Sequence, residues 1–263
     1  MSQRRTAIMI ATHKQYDFPN DAGYIPVHVG KEQSASDLGI QGDHDGDNIS
    51  SLNPYFCELT GLYWLWKNVE ADYYGLVHYR RYFKPVCSDQ ETLVKEINVA
   101  SSESLVSMLG NSDILLSRQR NYWIESVESH YKNAHHRADL QNLRDTILSL
   151  HPDYAQSFEH VMKGTKISLY NMFVMNSHRF NQYASWLFPI LFALQEQVPY
   201  KDYGPYQRRV FGFLAERLLN IWVLQNIPIE HVKYLPVVNL EGENLLVKAQ
   251  GLLKRKFSDT RLA

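Results

Sequence analysis

The stretch NPYFCELTGLYWLWKNVEADYYGLVHYRRYF (53–83) reads as a helix that hands over to a strand. Asn53 can cap the helix, and Pro54 sits at the first helical position, where a missing N–H costs little. Phe56, Leu59, Tyr63 and Trp66 recur at helical spacing, and Leu62 and Leu65 widen that face, so the helix over 53–68 is expected to be largely buried. After Asp72 the pattern changes to a short apolar run. It opens at Gly75 and ends in His78, Arg80 and Arg81. A strand that begins like a core element and ends in cations is the feature the rest of the chain has to explain.

Reading outward, TAIMIATHK (6–14) is short, apolar and β-branched, and predicts a buried first strand. YIPVHVG (24–30) predicts a second strand or an extended edge limited by Pro26. Residues 30–51 form a polar, glycine-containing loop that ends in GDHDGDNISS. Residues 89–110 predict a helix with a serine-rich middle, and SDILLSRQR (112–120) another apolar strand with a basic end. A long polar helical pattern covers 123–150 and includes HYKNAHH (130–136). PDYAQSFEHVMKG (152–164) predicts a short helix closed by Gly164. SLYNMFVMNSHRF (168–180) contains a strand, and YASWLFPILFALQEQV (183–198) a helix bent or broken at Pro189. YQRRVFGFLAERLLNIWVLQN (206–226) is a strong helix, with Val210, Leu214, Leu218 and Ile221 along one side. Strands alternate with helices, so the expected fold is a single α/β, Rossmann-like domain: a mainly parallel central sheet flanked by helices, with a helical C-terminal region.

The totals agree with a globular protein. The chain has 263 residues, 44% apolar and 21% charged, enough to bury a sizeable core. A formal net charge of -1 gives no global field for a polyanion, and no nucleic-acid partner is expected. Cys57 and Cys87 form no CxxC pair and no disulfide framework, and read as inert thiols. The apolar run near the N-terminus is too short for a signal or a membrane span. A cytoplasmic protein, soluble or peripheral on a membrane, is the expectation.

Ligands of open α/β sheets bind beyond the carboxyl ends of the strands. Here three strand ends are cationic: Thr12-His13-Lys14, His78/Arg80/Arg81 and Arg118/Arg120. Cations that converge on one edge suit a phosphate-bearing ligand, and a solvated rim of surface ion pairs is the alternative. There is no GxxxxGK[ST] and no GxGxxG after the first strand. DHDGD (43–47) has the look of a calcium loop but lacks the continuation to glutamate, since Asn53 or Pro54 falls where that residue is needed. His130, His135 and His136 lack a matching ligand pattern. No metal site is predicted.

The blocks GDNISSLNPYFCELTGLYWLWKN (46–68), YYGLVHYRRYF (73–83), YNMFVMNSHRFNQYASWLF (170–188) and QRRVFGFLAERLLNIW (207–222) resemble a bacterial glycosyltransferase-like domain family found in capsule, exopolysaccharide and O-antigen gene clusters. The resemblance runs from about Ile8 to Val237. It implies a GT-A-type fold over residues 1–240, a nucleotide-sugar donor expected to be UDP-linked, and transfer to a glycan or lipid-linked glycan acceptor. Some relatives look like galactofuranosyltransferases. A carbohydrate- or nucleic-acid-binding module without catalysis is the other reading.

Typical GT-A enzymes end a central strand in Asp-x-Asp, which holds a metal. GLVHYRRYF resembles that strand by position, with His78 and Arg80 where the carboxylates would stand. Strand alternation would point His78 and Arg80 together and send Arg81 to the other face. Such cations could neutralise a leaving diphosphate themselves, so no cofactor is expected, with Mn²⁺ or Mg²⁺ left open. Thr12, His13 and Lys14 are expected near the nucleoside, and Asp47 and Asn48 near ribose or donor sugar, with helix capping as the alternative. Asn171, Tyr203 and Tyr206 are acceptor-side candidates. An inverting transferase needs a carboxylate base. Glu216 and Asp202 are the candidates, ahead of Glu125 and Glu128, and a buried ion pair with Arg217 competes for Glu216. Residues 241–263, with Lys248, Lys254, Arg255 and Lys256 among leucines, could lie on an anionic membrane or form a solvated tail.

Overall fold

The computed structural model describes residues 5–86 and 91–242. In chain order the strands are β1 (Thr6–Thr12), β2 (Tyr24–His28), β3 (Gln41–Gly42), β4 (Tyr73–His78), β5 (Arg81–Phe83), β6 (Glu91–Val94), β7 (Ile97–Ala100), β8 (Ile114–Ser117), β9 (Arg120–Asn121), β10 (Lys166–Ile167), β11 (Phe173–Asn176), β12 (Val232–Leu235) and β13 (Val237–Asn239). The helices are α1 (Asn53–Phe56), α2 (Leu59–Asn68), α3 (Ser102–Leu109), α4 (Val127–Ala134), α5 (Arg137–Leu150), α6 (Ala155–Lys163), α7 (Ser177–Gln195) and α8 (Val210–Asn226).

The main sheet runs β12-β8-β11-β4-β1-β2-β3, and β5 and β13 are joined to it through β4. Along the β12-to-β3 path the pairings are parallel except at β11, which is antiparallel to both β4 and β8, and the β4–β5 and β5–β13 pairs are antiparallel as well. A mainly parallel sheet, as the alternation of elements predicts, is therefore present. Along β1 the period of two sends Ala7, Met9 and Ala11 into one apolar layer and Ile8 and Ile10 into the other. Helices α2, α7 and α8 pack in the first layer, α3 and the β6–β7 hairpin in the second.

Gly75 is a packing requirement. A Cβ there would stand 3.0 Å from the Phe173 carbonyl oxygen and 3.1 Å from Ile8 and Val174 side-chain carbons. A larger residue would force the Phe173–Leu76 and Val174–Gly75 register to give by a few tenths of an ångström.

Several elements differ from the sequence expectation. The 53–68 helix is broken at Cys57, whose φ is 54°, into α1 and α2. Residues 89–110 are largely not helical: ETLV and INVA pair as an antiparallel hairpin, and Lys95 and Glu96 take positive φ of 50° and 63° at its turn. The 123–150 pattern splits into α4 and α5, because His135 and His136 are extended. Helix α7 runs through Pro189 without interruption. Strands β12 and β13 had no counterpart in the sequence reading. Cys87 and residues 243–263, including Lys248, Lys254, Arg255 and Lys256, lie outside the described residues. Among the described residues no helix is long and apolar enough to cross a membrane.

Candidate functional site

Because β11 runs antiparallel to β4 and β8, its entry shares an edge with the exits of β1, β2, β4, β8 and β12. The cationic sequences end on this edge. A cavity of about 550 Å³ opens there, lined by His13, Glu58, His78, Arg80, Arg81, Tyr170, Arg208, Arg209 and Glu216 among others.

Strand β4 stops at His78, and Tyr79 and Arg80 form the tip of a tight hairpin in which His78 pairs with Arg81. The expected alternation fails here for that reason. His78 and Arg81 stand side by side and both reach Tyr170. His78 Nε2 lies 2.7 Å from the Tyr170 carbonyl, which can only accept, so Nε2 carries the proton. The Arg81 guanidinium lies over the Tyr170 ring, 4.5 Å from its centroid. Its buried Nε has no hydrogen-bond partner among the described residues. Arg80 instead pairs with Glu241, which also takes Lys14 at 3.2 Å. Burial lowers the His78 pKa, with Arg81 and Arg80 adding to that and Glu58 opposing it. Burial also lowers that of His13, helped by Lys14, Arg209 and Arg80.

The opposite wall is a strained turn. Tyr170 and Asn171 both adopt positive φ, 74° and 54°, which costs a non-glycine residue of order 1 kcal/mol. Polar contacts hold it from several sides. The Tyr170 N–H donates to Glu216 Oε1 at 2.7 Å. Asn171 Nδ2 donates to Glu58 Oε1 at 2.8 Å and to the Gly212 carbonyl at 3.2 Å. Ser117 Oγ donates to the Leu169 carbonyl at 2.9 Å. Glu216 Oε2 also accepts from Arg217, at 2.9 Å. Burial raises the Glu216 pKa; Arg217 and the Tyr170 N–H oppose this, and Glu58 reinforces it.

The break at Cys57 turns Cys57 and Glu58 toward the cavity, and the short turn before α8 brings Arg208 and Arg209. Arg209 Nε donates to Cys57 Sγ at 3.3 Å. Burial pushes the Cys57 thiol up to about 11, which keeps it protonated and unreactive. Among the described residues of the lining four arginines (Arg80, Arg81, Arg208, Arg209) face two carboxylates (Glu58, Glu216). The excess of positive charge suits a dianion.

Other candidates lie elsewhere. Thr12 is buried, and its hydroxyl closes a turn onto the Lys14 carbonyl at 2.7 Å. Asp47 and Asn48 do not line the cavity. Asp47 binds Tyr63 and Asn68 of α2, and Asn48 bonds within its own loop. The DHDGD carboxylate Asp43 is fully buried and accepts from Gly30, Lys31, Ser50 and Thr60, so it holds the loop to the helix. Asn171 is buried and spends its donors on the protein. Asp202 is exposed on a turn away from the cavity lining. Tyr203 is tied to Asp139 at 2.6 Å, and Tyr206 stands in solvent beside His135 and Phe213. Glu125 pairs with His130, and Glu128 with Lys132.

Sequence reasoning missed Glu58, Arg208, Arg209 and Tyr170 as cavity residues. QRRV was visible as a basic pair before a helix. Nothing in the local pattern marked Glu58, because it depends on the helix break.

At the β4 exit, where an Asp-x-Asp metal site would stand, this chain has His78, Tyr79 and Arg80. Among the described residues no group of three or more His, Cys, Asp or Glu side chains could hold a metal ion. At that strand end His78, Tyr79 and Arg80 supply no carboxylate.

Residues 7–227 match the model of a family described as a domain of unknown function, DUF4422. No curated protein gave a sequence match. Among solved structures, the apo WbbM bifunctional glycosyltransferase superposes with a TM-score of 0.82 at 30% identity, over 91% of this chain and 46% of that one. The chain thus spans less than half the length of that protein.

Proposed function

The chain belongs to the DUF4422 family, and from the cationic cavity we propose that it is a glycosyltransferase that moves a sugar from a nucleotide diphosphate donor to a glycan acceptor. The charge of that cavity, four arginines against two carboxylates at the strand-exit edge, carries the reading. Likeness to a bifunctional glycosyltransferase supports it. In this scheme Arg80, Arg81, Arg208 and Arg209 neutralise the diphosphate as it departs, which stabilises charge where it develops. His13 and His78 line the same cavity, and His78 braces the Tyr170 turn. The donor is proposed to be UDP-linked and its sugar galactofuranose, on the resemblance given above. The acceptor is a growing surface glycan, free or lipid-linked.

For inversion, an acceptor hydroxyl oxygen bonds to the anomeric carbon, the bond from that carbon to the β-phosphate oxygen breaks, and UDP leaves with the electron pair. The hydroxyl proton goes to a carboxylate. Glu216 is proposed as that base: it lines the cavity, and burial raises its proton affinity. Each of its oxygens already accepts one hydrogen bond and retains a second lone pair. Glu58 is the second reading, favoured by having one of its oxygens engaged, by Asn171, and the other without a partner among the described residues. Glu216→Gln and Glu58→Gln separate the two, since the base substitution lowers kcat by roughly a hundredfold or more.

The test of the function is a thermal-shift and turnover series with UDP, UDP-galactofuranose and UDP-galactopyranose, in excess EDTA and with Mn²⁺. Stabilisation by UDP in EDTA, with turnover of one sugar, is expected. No shift with any nucleotide overturns the donor reading. Turnover abolished by EDTA and restored by Mn²⁺ overturns the metal-independent form of it.

A further inference from the structure

A second cleft, of about 580 Å³, lies on the same edge and shares Tyr170 with the donor cavity. Its lining includes Lys84 from beyond β5, Ser117, Arg118 and Arg120 from the exit of β8, and Val237 to Asn239 of β13. Among the described residues three cations line it and no carboxylate does. Cations on this protein's surface are otherwise commonly paired: Arg144 and Lys163 with Glu159, Arg179 with Asp113, Lys132 with Glu128, Lys31 with Asp37. The side chains of Lys84, Arg118 and Arg120 have no acidic or hydrogen-bonding partner among the described residues. They are exposed or half-buried on independent elements that the backbone fixes, with Arg118 N–H donating to the Leu235 carbonyl at 2.7 Å and Lys84 N–H to the Pro236 carbonyl at 2.8 Å. A concave surface that gathers unneutralised cations from separate elements has the composition of an oxyanion site.

We propose that this cleft binds a phosphate or diphosphate group carried by the acceptor, separately from the donor diphosphate across Tyr170. The word acceptor here rests on the transferase reading above; the second anion site does not. The Tyr170 turn would then divide the two anions, with Arg81 against its ring on the donor side and Arg118 and Arg120 on the other. Such a wall keeps two like-charged ligands apart while their reacting ends meet at the edge.

The test is calorimetric titration of the whole chain with inorganic pyrophosphate in the presence of saturating UDP, repeated with farnesyl diphosphate. One pyrophosphate site per chain is expected to remain under UDP. The double variant Arg118→Gln/Arg120→Gln should weaken it by about tenfold or more, with UDP affinity unchanged within about twofold. Lys84→Gln provides an independent variant, and none of the three side chains holds the fold. Tighter binding of farnesyl diphosphate than of pyrophosphate identifies a lipid-carried group, and equal binding identifies the phosphate itself. Full displacement of pyrophosphate by UDP, or undiminished binding by the double variant, overturns the second site. Absence of UDP binding with pyrophosphate still bound at Arg118 and Arg120 overturns the donor reading instead.

Discussion

Substitution of Asn171 tests whether the strained turn is the element that organises this edge. The residue is buried, and its amide donates to a carboxylate, Glu58, and to the Gly212 carbonyl, at 2.8 and 3.2 Å. Its Oδ1 has no partner among the described residues. A hydrogen bond to a charged group contributes roughly 1.5–3 kcal/mol and one to a neutral carbonyl about 1 kcal/mol. Deleting the side chain also removes the unsatisfied oxygen, which returns about 1 kcal/mol. Asn171→Ala is therefore expected to lose about 2.5–4 kcal/mol, including a left-handed backbone term of about 1 kcal/mol. Asn171→Gly loses the same hydrogen bonds without that term, and after its greater freedom in the unfolded chain it should lie roughly a few tenths of a kcal/mol above the alanine variant. Asn171→Asp keeps the shape but aims an acceptor at Glu58 and at Gly212. It should be the least stable at neutral pH and recover toward pH 5, where protonation restores a donor. Urea denaturation at both pH values measures the series. An alanine variant at least as stable as the glycine one refutes the backbone term, and an aspartate variant as stable as wild type at neutral pH refutes the role of the Glu58 contact.

Glu241 holds Arg80 and Lys14, so Glu241→Gln should free both and tighten UDP binding severalfold; unchanged or weaker binding shows that these cations do not meet the donor. The raised pKa of Glu216 implies stability that is complete below the ordinary carboxylate range and lost as pH rises through its folded value. Relative to wild type, Glu216→Gln should therefore gain in melting temperature between pH 5 and pH 8, even if Arg217 is left without its partner, and a pH-independent difference contradicts the shift. Deletion of residues 245–263, which contain Lys248, Lys254, Arg255 and Lys256, should reduce sedimentation with anionic vesicles and leave neutral vesicles unaffected; equal binding before and after deletion removes the membrane role.

Most of the sheet was legible because its strands carry their own signal. Ile8 to Ile10 and Leu76 to Val77 are apolar runs flanked by polar residues, and period and length suffice to find such strands. The β6–β7 hairpin was not legible, because its turn is Lys95-Glu96, two residues that give no turn signal, and its strands mix polar with apolar positions. The break at Cys57 was hidden for a similar reason: no glycine or proline marks it. The backbone there is held by the Cys57 N–H donating to the Asn53 carbonyl and by Asn53 Nδ2 donating back to the Cys57 carbonyl, 2.8 Å each. The cations of the site could be seen, but their partition could not. Strand alternation assumes that a strand continues, and β4 turns back at His78.

That hairpin changes the logic of the edge. A strand continuing through Arg81 would place His78 and Arg80 on one face and Arg81 on the other. The turn at Tyr79 and Arg80 instead sends Arg80 outward to Glu241 and brings His78 and Arg81 together on Tyr170. Tyr170 then has His78 on its carbonyl, Glu216 on its N–H and Arg81 on its ring, so three of the ionisable groups that line the cavity meet at one residue. Conformational strain at Tyr170 and Asn171 can persist only while those contacts outweigh it. An anion that draws Arg81 away from the ring would weaken one of them. If the donor and the second anion bind as proposed, this turn would couple them, and Tyr170 provides the test: Tyr170→Phe should keep the coupling, because the ring and backbone contacts survive, whereas Tyr170→Ala should make UDP and pyrophosphate bind independently. Coupling that is unchanged in the alanine variant would assign it to another element.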